Sequence, residues 1–480
     1  MRKGVAWTVA GALGCALLVA GCDEHPLPSS APIAGPQLAA GGGGVFKFVN
    51  YELGAAPGTV CPGGAGCTNT AAEPQIRADA AGTFYVGSEL GVGSGTLAWK
   101  SSDAGLHYTA LTSPNQLSQA EGGLGPGGGD VDLATAPDPN GSGGHNLYVA
   151  SLSLANVTVS TSSDGGATWS KNVLSATIPG DDREWIAADQ ATKVCVSYHD
   201  VATFNIDVNC SFDAGASFTQ FGTAIDASHL YLLNDNSTGN LTIDPSSHVI
   251  YQVFSGIADA FEAAVPSSFH AVYIAVSLDG GNTFTDRTVY VNPNTSASYG
   301  HQFINASVDR AGTVYVVYTD NHNVYYSFST DHGETFTGPI QVNQAPSATA
   351  IMPWSVACDP GELDVVWYGT SFYDGTTVPD NYPMSAAWYV YLAQNKNAAA
   401  AGSAFTQVAA TPIVHFGGVC ESGVTCSGNR DLFDDFGIAV SPTTGLSSIV
   451  YSDDQPGNSG AADHTAIATQ TGGGKICSGS

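Results

Sequence analysis

The sequence predicts an all-β fold, a β-propeller of about seven blades, and three observations support that prediction. Glycine accounts for 58 of the 480 residues, which suits many short strands joined by tight turns. A turn motif, Ser-x-Asp-x-Gly-x-Thr/Ser-aromatic, recurs with its aspartates about 57 residues apart on average. A strand–turn–strand repeat precedes each copy of the motif. Counting these inner hairpins favours seven blades, with six as the alternative.

The turn motif has an explanation in local hydrogen bonding. The Asp carboxylate can accept hydrogen bonds from its own turn, and the Ser and Thr hydroxyls can add more. Glycine supplies the positive φ that the reversal needs, and the aromatic residue packs between sheets. The motif therefore predicts a hairpin staple and not a catalytic group. Four clear copies lie at 162–169, 211–218, 277–284 and 329–336, and a degenerate copy lies at 101–108.

The last two repeats lack the turn motif. In the sixth, the alanine-rich turn 395–402 replaces it, and in the seventh no copy follows the strand 464–469. An early strand, 46–51, is free to supply the outermost strand of the seventh blade. We expect the N-terminal strand to close the ring in this way, because closure removes exposed sheet edges.

The first residues predict export and lipidation. Arg2 and Lys3 precede an apolar run, and Leu-Val-Ala-Gly-Cys at 18–22 is similar to a bacterial lipobox. We expect a signal peptide at 1–21, a lipid anchor on Cys22, a Pro/Ala/Ser/Gly-rich tether at 22–44 and the propeller at 45–480. The predicted location is the bacterial cell envelope, lipid-anchored and exposed to the periplasm or the exterior.

Eight cysteines remain after the signal peptide and Cys22, and an even number in an exported chain predicts disulfides. Two pairs bracket short loops, one joins neighbouring strands, and the last would tie the C-terminus to the body. Zinc is the rival interpretation, but the cysteines lack paired CxxC spacing. The expected pairs are Cys61 with Cys67, Cys195 with Cys210, Cys358 with Cys477, and Cys420 with Cys426.

The charge of the chain restricts its partners. Asp and Glu number 42 against 13 Lys and Arg, for a net charge of −29. Nucleic acid is excluded as a partner, because phosphate contacts need clustered Lys and Arg. Electrostatic binding to anionic lipid is excluded too, so any membrane contact would be through the lipid anchor alone. We expect a monomer.

Propeller ligands usually sit where the innermost strands begin. Aligning the seven hairpins places Glu73, Asp132, Arg183 and Asp435 in one column at that edge, with Glu184 among the polar residues beside it. Paired carboxylates could act as general acid and base, which makes Glu73, Asp132 and Asp435 the catalytic candidates. Two alternatives stay open: a polar rim without chemistry, or an oxygen-rich Ca²⁺ site. No other cofactor is predicted.

The turn motifs, with hairpins such as Asp-Arg-Glu-Trp-Ile-Ala-Ala-Asp at 182–189, resemble the Asp-box (BNR) repeats of the sialidase-like propeller superfamily over about residues 73–470. The resemblance implies the propeller fold and a carbohydrate or surface glycoconjugate as partner. It also implies exo-sialidase chemistry, in which three arginines bind the substrate carboxylate, a Tyr–Glu pair supplies the nucleophile and an Asp is the acid/base. The Arg-Ile-Pro motif of that family is missing, because 73–76 reads Glu-Pro-Gln-Ile.

Only three arginines remain as a candidate triad, namely Arg77, Arg183 and Arg430, and His301 is a further candidate for substrate binding. Two functions therefore stay open. The first is a surface glycoside hydrolase, and the second is a non-catalytic glycan- or protein-binding propeller of the cell envelope.

Overall fold

The computed structural model of the chain describes residues 46–56, 59, 69–115, 127–153, 156–176, 181–301, 303–400, 402–434, 436–455 and 463–478. All of them fall within one unit, Leu38–Ser480. The predicted signal peptide and tether, the lipid-anchor candidate Cys22, the Cys61–Cys67 pair and the catalytic candidate Asp435 lie outside the described residues.

Twenty-nine strands are described, and their lengths suit the short, Gly-punctuated segments of the sequence. They are β1 (Lys47–Glu52), β2 (Ala72–Ala78), β3 (Phe84–Glu89), β4 (Thr96–Ser101), β5 (Thr109–Ala110), β6 (Val131–Pro139), β7 (His145–Leu152), β8 (Val157–Ser162), β9 (Ser170–Asn172), β10 (Asp181–Asp189), β11 (Lys193–Asp200), β12 (Ile206–Ser211), β13 (Gln220–Thr223), β14 (Asn236–Ile243), β15 (Ile250–Gly256), β16 (Ala271–Ser277), β17 (Thr285–Val291), β18 (Asn305–Val308), β19 (Val314–Thr319), β20 (Val324–Ser329), β21 (Thr337–Gln341), β22 (Thr349–Ala357), β23 (Leu363–Thr370), β24 (Ala387–Asn395), β25 (Thr406–Ala409), β26 (His415–Phe416), β27 (Gly437–Val440), β28 (Ser447–Asp453) and β29 (His464–Gly472).

In the part of the chain that the structure describes, four short 3₁₀ helices interrupt the connections between these strands. They are Leu230–Leu232, Glu262–Ala264, Pro379–Asn381 and Gly423–Thr425. Within the described ranges, no helix is long and apolar enough to cross a membrane.

The strands form seven antiparallel sheets, and each sheet is one blade of a β-propeller. Blades one to six take four consecutive strands each, from β2–β5 to β22–β25, and β26 adds to the sixth by pairing with β24. The predicted fold is therefore confirmed, with seven blades and not the alternative six.

The ring is closed by the N-terminal strand, as predicted. The seventh sheet has the order β1-β29-β28-β27, so β1 is its outermost strand. Register runs antiparallel from Phe48 opposite Gln470 to Glu52 opposite Ala466. Tyr51 also donates a 3.2 Å hydrogen bond to the carbonyl of Gly105, which belongs to blade one. The two ends of the chain thus join the last blade to the first.

The Ser-x-Asp-x-Gly turns are local hydrogen-bonded staples. In blade two, the Ser162 hydroxyl and the Thr168 backbone amide donate to Asp164 Oδ1 at 2.8 and 2.9 Å, and the Thr168 hydroxyl donates to Oδ2 at 2.6 Å. The hydrogen bonds from Thr168 and Ser162 lower the pKa of Asp164 to about 2. The same bonds recur at Asp213, Asp279 and Asp331.

Two glycines show why the turn motif needs them. Gly105 and Gly215 have φ of 84° and 79°, a region that residues with a Cβ rarely adopt. A Cβ on Gly105 would also come within 2.9 Å of Thr469 in the preceding blade, and one on Gly215 within 2.9 Å of Thr161. Each turn therefore both reverses its own blade and packs closely against the blade before it.

Three of the four predicted disulfides are confirmed. Cys195–Cys210 joins the neighbouring strands β11 and β12. Cys358–Cys477 ties the C-terminal segment to blade six across a separation of 119 residues, and Cys420–Cys426 closes a loop of 6. The fourth predicted pair lies outside the described residues.

Candidate functional site

The innermost strands carry β-bulges at one edge of the channel. Pairing shifts register between Ala72 and Gln75 in β2, and between Asp182 and Glu184 in β10. The extra residues, Glu73 and Arg183, both have φ of 47°. Left-handed backbone is costly for such residues and clusters at functional sites, and bulges re-aim side chains. The backbone therefore marks Glu73 and Arg183, two members of the column from the hairpin alignment, as candidate site residues.

Glu73 joins two of the three candidate arginines. Arg430 Nη2 donates to Glu73 Oε1 at 2.8 Å and to Asp434 Oδ2 at 2.6 Å. Arg183 Nη1 lies 4.0 Å from Glu73 Oε2 and 3.4 Å from Asp130 Oδ1. The Glu73 carboxylate therefore bridges the two guanidinium groups.

Aromatic rings fix Arg183 in place. Its guanidinium carbon lies 4.2 Å from the Trp185 ring centroid and 4.3 Å from that of Phe303. Trp185 in turn contacts Trp354, with ring centroids 5.2 Å apart. Such cation–π contacts gain strength where water is excluded, and Arg183 is only 5% exposed. These rings therefore hold the Arg183 guanidinium and shield it from water.

The third arginine is joined to the set through Asp132. Arg77 Nη2 donates to Asp132 Oδ1 at 2.6 Å. The backbone amides of Leu133 and Ile186 donate to the same carboxylate at 2.8 and 3.0 Å. Burial raises the pKa of Asp132, while the charges of Arg77 and Arg183 oppose the rise. Asp132 thus links blades one, two and three.

Glu184 is a member of the set that the column alignment did not select. Its side chain is buried, and neither carboxyl oxygen accepts a hydrogen bond from another described residue. Burial raises its pKa well above the usual value, and the charges of Asp130 and Asp132 raise it further while that of Arg183 opposes the rise. Its surroundings therefore favour the neutral carboxylic acid form of Glu184. The signal that the sequence offers for Glu184 is its position directly after Arg183, a member of the aligned column.

The structure leaves one predicted residue, His301, apart from this set. His301 lies in the loop before β18, where desolvation lowers its pKa and the charges acting on it are those of Asp380 and Asp320. Asp435 lies outside the described residues. The candidates that do come together are Glu73, Arg77, Asp132, Arg183 and Arg430, and we call them, with Asp130, Glu184 and Asp434, the mouth cluster.

A second group of ionisable side chains comprises His415, Asp454 and Asp431, the last of which follows Arg430 in the chain. His415 Nδ1 lies 2.8 Å from Asp454 Oδ2 and 4.0 Å from Asp431 Oδ2, and hydrogen bonding to Asp454 raises the pKa of His415 against desolvation. Burial, with the charges of Asp431 and Asp454, raises the pKa of Asp463 to about 8. These groups therefore form a coupled set in which a proton is shared among His415, Asp454 and their neighbours.

Two trios near the mouth have a geometry that a cation could use. Glu73, Glu89 and Asp130 each offer one oxygen, and these atoms lie within 4.8 Å of one another; His415, Asp431 and Asp454 do the same. Arg183 and Arg430 already supply positive charge to the first trio. The Ca²⁺ site that the sequence analysis left open as an alternative stays a prediction.

A cavity of about 520 Å³ occupies the other half of the channel. It is lined by the ends of the innermost strands and by their hairpin turns, including Ala134, Asn240, Ser307 and Ser355. Arg77, which pairs with Asp132, and Trp354, which contacts Trp185, both line this cavity.

The fold and the mouth cluster together define a class, a seven-bladed β-propeller with an ionic network at one end of its channel. No protein-family model matches the chain, and no curated protein matches it. Among solved structures, it is similar to an α-L-arabinanase of Penicillium chrysogenum complexed with arabinobiose, at 12% identity over 88% of this chain and 98% of that one, with a TM-score of 0.45.

Two further solved structures are of the same kind. An α-L-arabinofuranosidase of Fusarium graminearum is 14% identical over 68% of this chain and 93% of that one, with a TM-score of 0.46. A mutant NanB sialidase of Streptococcus pneumoniae is 12% identical over 82% and 68%, with a TM-score of 0.39. At this level of identity, these similarities concern the fold and assign no substrate to the chain. One of the similar structures is a sialidase.

Proposed function

We propose that the chain binds uncharged glycans at the mouth cluster. The supporting observation is that each of its three arginines is already paired with a carboxylate. Five carboxyl groups (Glu73, Asp130, Asp132, Glu184 and Asp434) face three guanidinium groups. Even with Glu184 neutral, the carboxylates are in excess. A sugar carboxylate would have to displace one of them from a buried ion pair, which is costly, so a sialic acid is disfavoured.

The accessible part of the cluster suits sugar hydroxyls. Asp130, Arg430 and Asp434 are each partly exposed, with 18%, 27% and 17% of their side-chain surfaces open. Charged groups make the stronger hydrogen bonds. Phe303 and Phe433 lie beside them, with the Arg430 guanidinium 5.2 Å from the Phe433 ring centroid. Ligand sites commonly combine a few fixed polar groups with apolar and aromatic walls.

A glycan array tests this proposal. The purified protein is applied to neutral, sialylated and sulfated oligosaccharides, and the best ligand is then titrated by calorimetry. We expect binding to neutral glycans, weakened about tenfold or more in Arg430→Ala. Arg287→Ala is the matched control, because Arg287 pairs with Glu334 on the outer surface. Preference for sialylated glycans, or equal affinity in both variants, contradicts the proposal.

A second candidate function is glycoside hydrolysis, and the raised pKa of Glu184 favours it. A carboxylic acid with a raised pKa beside an ionised carboxylate is the arrangement in which one group protonates the leaving oxygen and the other activates water. Glu184 would be the acid and Asp130 the base. Because Glu184 has no exposed surface in this conformation, catalysis also requires a local rearrangement that exposes its carboxyl group.

Hydrolysis is tested with a panel of aryl glycosides. Glu184→Gln, which keeps the shape and removes the acid, is expected to lower kcat about 100-fold or more. Glu334→Gln, on the outer surface, serves as the control. If no substrate is turned over while neutral glycans bind, the non-catalytic function stands and the hydrolase is rejected.

The envelope location is part of the same proposal. Lipid on Cys22 would tether the propeller, and a 22–44 tether would let it reach surface glycoconjugates. Metabolic labelling with a fatty-acid probe should mark the wild-type protein and not Cys22→Ser, and size-exclusion chromatography should show a monomer. Label on the Cys22→Ser protein contradicts the anchor.

A further inference from the structure

A group of ionisable side chains lies away from the mouth, at the seam between blades three and four. Asp226 and His229 belong to the segment that follows β13, and Asp286 lies in β17, the outermost strand of blade four. One potential ligand atom from each lies within 4.8 Å of the other two. None of the three belongs to an innermost strand, so the group is separate from the mouth cluster.

The backbone holds the two carboxylates together. The Asp226 amide donates to Asp286 Oδ2 at 3.0 Å, and the Asp286 amide donates to Asp226 Oδ2 at 3.0 Å. The amide and hydroxyl of Ser228 donate to Asp226 Oδ1 at 2.7 and 2.5 Å. Two carboxyl groups that belong to different blades are therefore held at short range.

One carboxyl oxygen of the group, Asp286 Oδ1, has no donor or cation beside it among the described residues. The Asp286 side chain has no exposed surface, and its Oδ1 has no hydrogen-bond partner among the described residues. His229 Nδ1 stands 3.3 Å from Asp226 Oδ1 and 3.3 Å from Asp286 Oδ2, on the other oxygen. Arg287 is engaged by Glu334 at 3.1 and 3.0 Å. A buried, unpartnered carboxylate oxygen is costly and calls for a cation.

We propose that Asp226, His229 and Asp286 bind a divalent first-row transition-metal ion, with Zn²⁺ as the probe, and that the ion clamps blade three to blade four. Two carboxylate oxygens and an imidazole nitrogen form a mixed set that suits such ions, whereas Ca²⁺ takes oxygen ligands. His229 and Asp226 keep 27% and 16% of their side-chain surfaces open, which gives an ion and a water ligand access.

The test uses the full chain after treatment with EDTA. Calorimetric titration with ZnCl₂ should show a site that weakens about 100-fold or more in His229→Gln, since even outer-shell changes cost 10–100-fold. The matched control is His248→Gln, because His248 likewise pairs with an aspartate, Asp189, at 2.8 Å. Saturating Zn²⁺ should also raise the unfolding midpoint of the wild type and the control, and not that of His229→Gln.

Asp286→Asn guards against a folding defect, because it keeps the shape and removes a buried charge. The metal-free variant should unfold at or above the wild-type midpoint and should no longer respond to Zn²⁺. An unchanged Zn²⁺ response in His229→Gln or Asp286→Asn overturns the proposal, and so does the absence of any Zn²⁺ response in the wild type. Tighter binding of CaCl₂ than of ZnCl₂ overturns the choice of ion.

Discussion

Arg430 donates a 2.8 Å hydrogen bond to Glu73 across 357 residues of sequence, and it joins the last blade of the ring to the first. Glu73 is the extra residue of a bulge in β2, and Arg430 lies in the loop that leads to β27. Glu73 is 1% exposed, so its charge depends on the guanidinium groups beside it. The ring is thus closed by charge at the channel as well as by β1 at its outer edge.

Arg430→Met should therefore destabilise the fold. In the variant, Glu73 keeps only the guanidinium of Arg183, whose Nη1 lies 4.0 Å from Glu73 Oε2. Loss of a hydrogen bond to a charged group costs about 1.5–3 kcal/mol. Denaturant unfolding measures the change in the free energy of unfolding. Arg287→Met, which breaks a surface pair with Glu334, should cost about 0–1 kcal/mol. Equal losses in the two variants would contradict the special role of the Arg430–Glu73 pair.

Glu184→Gln should stabilise the protein at neutral and alkaline pH. Burial raises the pKa of Glu184 in the folded state, so the folded state binds this proton more tightly than the unfolded state does. Stability from the neutral acid is complete below the unfolded pKa and is lost as pH rises through the folded one. The amide stays neutral throughout. Unfolding midpoints of variant and wild type should agree near pH 4 and diverge by pH 8.

A wild-type midpoint that stays parallel to that of Glu184→Gln from pH 4 to pH 8 would show that the pKa of the Glu184 carboxyl is not raised in the folded protein. Glu334→Gln, at an exposed position, should follow the wild-type curve and controls for the loss of one acidic residue.

The fold was predictable because its signals are local and repeated. The turn at Asp164 is held by bonds within five residues, so each copy can be read from sequence alone. The same regularity placed Glu73 and Arg183 in one column, because blades repeat in register. Blade count and closure by β1 followed from the spacing and from the missing last strand.

The rest of the site depends on contacts between blades, which no local pattern encodes. Burial raises the pKa of Glu184, and the charges of Asp130 and Asp132 on the neighbouring blade raise it further. Asp226 and Asp286 lie 60 residues apart and meet only because blade three packs on blade four. His301 shares the mouth edge in sequence alignment, but its neighbours are Asp320 and Asp380, because a loop carries it away from its strand.

The two disulfides in the C-terminal part of the chain should contribute differently to the free energy of unfolding. Cys358–Cys477 closes a separation of 119 residues and Cys420–Cys426 one of 6. In the chain-entropy description, the longer closure removes more freedom from the unfolded chain, about 5 against about 2 kcal/mol. Paired serine variants, unfolded without reductant, measure the two losses. A larger loss for Cys420→Ser with Cys426→Ser would contradict this order.

The turn aspartates should make the fold sensitive to acid. Hydrogen bonds from the turn hold the pKa of Asp164, and likewise those of Asp213 and Asp331, at about 2. A depressed folded pKa stabilises the fold above the unfolded pKa of about 4, and this stabilisation is lost as pH falls toward 2. Asp164→Asn should therefore lower stability at pH 7 by about 1 kcal/mol, as loss of a capping carboxylate does.

The pH dependence separates this effect from a general loss of packing. At pH 2 the wild-type carboxyl is about half protonated and most of the stabilisation from its charge is lost, so the gap between the unfolding midpoints of the wild type and Asp164→Asn should narrow. Asp138→Asn, at an exposed aspartate outside the turn motifs, should follow the wild type at every pH. Thermal unfolding at pH 7, 4, 3 and 2 provides the comparison. A gap between Asp164→Asn and the wild type that persists undiminished at pH 2 would mean that the turn does not depend on the charge of its aspartate.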